Sequence, residues 1–126
     1  MNYILLIEDR PFWAKLIKVE LEKHFAVKVE WVENGKLGVE KIKAEGSSFH
    51  GIITDVEMPV LDGISATKAI RKLGYAKPIV GFSSITPISD FMKKGLEAGM
   101  NVCIAKNLDK GIFLQIAKAL ELTARE

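Results

Sequence analysis

Carboxylates, hydroxyls and a lysine stand in this chain at the ends of apolar runs, where side chains with chemistry are best exposed to a ligand. Glu8-Asp9 follow the run 3–7, Asp55 follows 51–54, Ser83-Ser84 follow 78–82, and Lys106 follows 102–105. Carboxylates crowded into one crevice raise one another's pKa and need a cation to join them. Their hard oxygens suit a divalent ion, magnesium above all. A metal held by one or two carboxylates and several waters keeps positions open for phosphate oxygens, and a nearby lysine neutralises charge on a transferring phosphoryl group. One carboxylate can then act as the nucleophile. Taken singly, each residue also has a structural reading: Glu8, Asp9 and Asp62 as helix caps, Ser83 and Ser84 as loop hydroxyls, Lys106 as a solvated charge, Met58-Pro59 as a turn. Asp55 is the hardest to read that way, because it follows an apolar strand directly.

The elements that must bring these residues together are legible as alternating patterns. The run 3–7 predicts a buried strand, and Pro11 opens a helix on which Trp13, Leu16, Ile17, Leu21 and Phe25 recur at helical spacing. Val27–Val32 alternates as a strand near a sheet edge does. Asn34-Gly35 breaks that run before a second helix continues to about Gly46. The third strand is predicted over 51–54, with 55–59 as loop because Pro59 cannot sit in a central strand; Asp62 caps a third helix carrying Ile64, Ile70 and Leu73. A fourth strand over 78–82, a Ser/Thr/Pro turn, a helix over Ser89–Ala98, a fifth strand at Val102–Ala105 and a last helix marked by Leu108, Ile112, Phe113, Ile116 and Leu120 complete the chain. The helical pattern continues almost to Glu126. Gly63 and Gly99 are read as backbone freedom near turns.

Apolar strands separated by helices imply an α/β fold, a doubly wound parallel sheet of flavodoxin-like order 2-1-3-4-5. Ligands of such sheets bind at the carboxyl ends of the strands, and strands one and three, neighbours at the switch point, would gather Glu8, Asp9 and Asp55. At 126 residues the chain fits one domain, 1–126, with no output domain. Its 48% apolar and 27% charged residues are those of a folded protein and not a disordered tail. A formal charge of +2, with lysines interleaved among glutamates, argues against nucleic-acid binding, and no run is long enough to cross a membrane. The cytoplasm is the expected compartment. Cys103, the single cysteine, is expected as a buried strand residue.

The blocks Ile4-Leu5-Leu6-Ile7-Glu8-Asp9, Asp55-Val56-Glu57-Met58-Pro59-Val60-Leu61-Asp62-Gly63, Ile79-Val80-Gly81-Phe82-Ser83-Ser84, Ala98-Gly99 and Lys106 together resemble a response-regulator receiver domain of two-component signalling, of the chemotaxis-regulator kind, from end to end. The resemblance implies that Asp55 accepts a phosphoryl group from a histidine kinase or histidine phosphotransfer protein, forming a phosphoaspartate. It implies magnesium as cofactor, ligated by Asp9, Asp55 and the backbone carbonyl of Glu57, with Glu8 acting mainly through bound water. Ser83 would read the phosphoryl group as the switch hydroxyl and Lys106 would pair with its oxygens. The loop before the fourth helix would then shift, changing the face of helix four, strand five and helix five for a downstream effector. Such a protein is a switch and not an enzyme beyond its own phosphoryl transfer and autodephosphorylation, and a monomer or a phosphorylation-dependent dimer.

The chain departs from that pattern in two places. Asn107 stands where the family usually has proline; a cis Lys106-Asn107 bond would cost about 2.5 to 4 kcal/mol, so a trans bond is expected and a different aim for Lys106 with it. Cys103 stands where the family often has Tyr or Phe, and a thiol cannot report phosphorylation by turning a ring. Glu57 adds an acidic side chain beside the pocket. The competing readings are a degenerate pseudo-receiver that only binds partners, and a magnesium-dependent phosphatase or phosphotransferase using Asp55. A haloacid-dehalogenase-like site would want Asp-x-Asp after strand one, and a toprim-like site leaves Ser83 and Lys106 unexplained.

Overall fold

The computed structural model describes residues 2–84, 89–109 and 111–125, with Asp90 described by its backbone alone. The elements run β1 (Asn2–Ile7), α1 (Pro11–His24), β2 (Val27–Val32), α2 (Gly35–Glu45) and a 3-10 turn (Gly46–Ser48). They continue as β3 (Gly51–Asp55), α3 (Gly63–Lys72), β4 (Ile79–Ser83), α4 (Ser89–Ala98), β5 (Val102–Ala105) and α5 (Gly111–Ala119). The five strands pair in parallel in the order β2-β1-β3-β4-β5, as the alternation of apolar strands and amphipathic helices predicts.

Because both faces of the central strands are covered, successive residues of one strand feed two cores. Ile4 and Leu6 join Ile17, Leu21, Ile53, Val80, Phe82, Ile112 and Ile116 on the α1 and α5 side. Leu5 and Ile7 join Ile42, Ile52, Ile70, Ile79, Phe91 and Cys103 on the side of α2, α3 and α4. Cys103 is buried, as expected of it. The helix starts follow local chemistry: Pro11 opens α1, Asn34 accepts from the Leu37 N–H at the start of α2, and Asp62 accepts from the Ser65 N–H at the start of α3.

Three readings change. Asp55 is the last residue of β3 and not the first of the loop, because it still pairs with Phe82 across the ladder. The last helix stops at Ala119: Glu121 takes φ 56, and the Leu122 N–H turns back to Ala117 O, a closure that ends a helix. The segment beyond it pairs antiparallel with the α1–β2 connection, Phe25 opposite Ala124, so the periodicity near the C-terminus reflects Leu122 packing on the core and not more helix. Gly63 has no positive φ; its need for glycine is spatial, as the site shows. The Ser/Thr/Pro turn expected before α4 falls on 85–88, outside the described residues.

Candidate functional site

The residues predicted to carry chemistry lie together at the carboxyl end of the parallel sheet, each fixed by the ladder behind it. The Glu8 N–H donates to Val32 O at 3.1 Å just past β1, the Val56 N–H to Phe82 O at 3.3 Å just past Asp55, and the Lys106 N–H to Ser83 O at 2.7 Å just past β5. Strand pairing that continues to the last residue leaves little freedom in where these side chains start.

Glu8, Asp9 and Asp55 each offer a carboxylate oxygen within 4.8 Å of the others. Lys106 reaches across to them: its Nζ is 3.1 and 3.0 Å from the two oxygens of Glu8 and 3.2 Å from Asp55 Oδ2. Its side chain is only 3% exposed, which removes the reading of a solvated surface charge. The ammonium lies over the rings of Trp13 and Phe82, 5.6 Å from each centroid. Ser83 is buried at the end of β4, opposite Ala105, whereas Ser84 is exposed. The Glu57 side chain is exposed and is not among the clustered carboxylates, so the acidic group expected beside the pocket faces solvent.

Burial governs the electrostatics. It raises Asp55 to about 7 from 3.8, the charge of Glu8 adding to the rise and Lys106 opposing it. Burial likewise raises Glu8, again against the pull of Lys106. Among the described residues three carboxylates thus face one ammonium. Asp9 Oδ1 is buried without a hydrogen-bond partner, and Glu8 Oε2 meets Lys106 as an ion pair without hydrogen-bond alignment. Excess negative charge on hard, under-satisfied oxygens fits a divalent cation of the magnesium class.

Several residues that shape the site escaped the sequence reading. The Trp31 indole donates from β2 to the Glu8 carbonyl at 2.7 Å, holding the main chain between the acidic pair. A Cβ on Gly63 would lie 1.9 Å from Asp55 O, and one on Gly35 2.2 Å from Leu61 O, so both helix starts press on the segment that follows the candidate acceptor. Within that segment Val60 and Leu61 take φ 69 and 140, strained values for side chains of this kind. A neighbouring Asn-Gly and Asp-Gly pair was visible, but not that their glycines meet backbone carbonyls.

The family model for the response regulator receiver domain matches residues 4–118. The chain belongs to that family. It is 36% identical over 93% of its length to part of hybrid signal transduction histidine kinase M of Dictyostelium discoideum, and 33% identical to the chemotaxis protein CheY of Halobacterium salinarum, covering 85% of this chain and 86% of that one. Among solved structures, the receiver domain of a sensor histidine kinase of Pseudomonas aeruginosa, crystallised with magnesium coordinated in its active site cleft, superposes with a TM-score of 0.81. It is 28% identical and is covered over 98% of its length, against 95% of this chain. This receiver domain spans only 5% and 9% of the first two curated relatives, both long histidine kinases. No helix among its described residues is long and apolar enough to cross a membrane.

Proposed function

We propose that this receiver domain is a phosphorylation switch of a two-component or phosphorelay system, with Asp55 as the acceptor and a histidine kinase or histidine phosphotransfer protein as donor. The observation that carries the reading is Lys106 Nζ at 3.2 Å from a buried Asp55 carboxylate, with Glu8 and Asp9 alongside. In the transfer, an Asp55 oxygen forms a bond to phosphorus as the phosphorus–nitrogen bond of the donor phosphohistidine breaks, and the imidazole leaves with a proton from solvent. Asp55 must be ionised to attack. Lys106 neutralises charge gathering on the phosphoryl oxygens, and burial excludes competing water. Asp9, Asp55 and the Glu57 carbonyl would hold magnesium, and Glu8 would act on it through water. When bound, the ion supplies positive charge that lets the carboxylates ionise together and orients the phosphoryl oxygens.

Ser83 is the proposed reader: its hydroxyl would donate to the phosphoryl group, biasing the β4–α4 connection and with it the α4, β5 and α5 face toward an effector. The rest of the activity is confined to this domain's own phosphorylation and dephosphorylation. The test is chemical mapping. After incubation with phosphoramidate and magnesium, borohydride reduction converts a phosphorylated aspartate to homoserine, and peptide mass spectrometry should place it at position 55. Homoserine at position 9, or at no position while phosphate is retained, would replace this reading.

A further inference from the structure

We propose that Trp13 and Phe82 form an aromatic cradle that aims the Lys106 ammonium at Asp55, which makes Trp13 a positioning residue for phosphoryl transfer. The inference rests on the role assigned above to Lys106. A lysine side chain has four rotatable bonds and much rotamer freedom, so a backbone anchor alone does not aim its head. Here the backbone is anchored only up to the Lys106 N–H, through Ser83 O; beyond it the chain turns away through Asn107 Oδ1, which accepts from the Asp109 N–H at 2.9 Å. Asn107 contributes no ring that would stiffen this point.

The side chain must therefore be held from outside, and two rings do so. Phe82, fully buried on β4, pairs across the ladders with both Asp55 and Ile104. Trp13 comes from the first turn of α1 and meets Phe82 edge-on, the centroids 5.5 Å apart at 88°. Phe12 braces Trp13 in the same manner at 5.7 Å. The ammonium lies 5.6 Å from the centroids of both Trp13 and Phe82, where the negative faces of the rings attract a desolvated cation.

The cradle decides between two carboxylates. Glu8 presents both oxygens to Nζ, at 3.1 and 3.0 Å, and Asp55 presents one at 3.2 Å. Left to Coulomb attraction alone, the flexible chain would settle on Glu8 and away from the acceptor. The aromatic walls limit that drift and keep Nζ shared.

The test compares Trp13→Leu, Trp13→Phe, Lys106→Ala and the double variant Trp13→Leu with Lys106→Ala, in the whole chain with magnesium. Phosphorylation by phosphoramidate is timed, and the Lys106 ε-methylene signals are followed by NMR, since rings on two sides shift them upfield. Trp13→Leu should slow phosphorylation about five- to tenfold and release the upfield shift, Trp13→Phe should keep most of both, and the double variant should be no slower than Lys106→Ala. A Trp13→Leu variant that loses only melting temperature, with rate and signals unchanged, overturns the cradle; so does an equal loss on the Lys106→Ala background. If Lys106→Ala reacts at the wild-type rate, the role of Lys106 falls, while the methylene shift still reports separately whether the rings hold it. Should Trp13→Leu not fold, ring-fluorinated tryptophan placed site-specifically at position 13, with Trp31 unchanged, replaces it. Slower transfer than with ordinary tryptophan is then expected, and equal transfer overturns the proposal.

Discussion

At the scale of single residues, the site is built against its own charge. Asp55 sits at about 7, raised above its ordinary 3.8 by burial and by Glu8, with Lys106 opposing the rise. A raised carboxylate contributes stability that is complete below its unfolded value and is lost as pH climbs through the folded one. Metal-free protein should therefore lose stability between about pH 4 and pH 7, and magnesium, which binds the ionised form, should bind more tightly across the upper part of that interval. Asp55→Asn removes the charge and keeps the shape. In chelator at pH 8 it should be more stable than wild type by up to about 4 kcal/mol, the rise from 3.8 to about 7 at about 1.4 kcal/mol for each pH unit, and the gap should close near pH 4. Urea unfolding at the two pH values measures this, and a variant less stable at both would mean that the Asp55–Lys106 pair outweighs the cost of burial. The acidic residues and Lys106 were legible as strand-end positions because their types break apolar runs. The contact of Trp13 and Phe82 with the ammonium was not, since which rings flank Lys106 is settled only by the packing of α1 on β4.

At the scale of elements, close packing around β3 sets where the acceptor points. Gly63 starts α3, where alanine would ordinarily favour the helix by about 1 kcal/mol, yet a Cβ there would lie 1.9 Å from the Asp55 carbonyl. Gly63→Ala should therefore destabilise by about 2 to 4 kcal/mol in urea unfolding, a clash outweighing propensity, and a gain in stability would contradict the close approach. The opposite end of the site concerns α4. Ser83→Ala should still accept phosphate but lose most of the conformational response, because the hydroxyl is assigned to reading and not to attack. Hydrogen exchange over Ser89–Ala98, with and without beryllofluoride, checks this; an unchanged response would move the reading role away from Ser83. Cys103 lies under this helix, its thiol 3.7 Å from the Met100 sulfur, and closely faces Gly81 and Gly95. A small side chain lets α4 sit low on the sheet. The departure from an aromatic was visible in the sequence; its consequence for helix height needed the paired glycines in space.

At the scale of the whole molecule, one parallel order accounts for the convergence of residues up to 98 positions apart, as between Glu8 and Lys106. That order was legible because each strand is a short apolar run and each crossover a helix, leaving few right-handed arrangements. The C-terminal segment was not, because a single positive φ at Glu121 ends α5 where the apolar spacing continues through Leu122. Family membership and fold are settled, and the proposal that goes beyond them is chemical: that Asp55 takes up a phosphoryl group with help from its acidic neighbours and Lys106. The most direct measurement is intact mass after incubation with phosphoramidate. Wild type with magnesium should gain one labile phosphoryl group, and both wild type in chelator and Asp55→Asn with magnesium should gain none. An unmodified wild-type mass, or an equal gain in Asp55→Asn, would contradict the account.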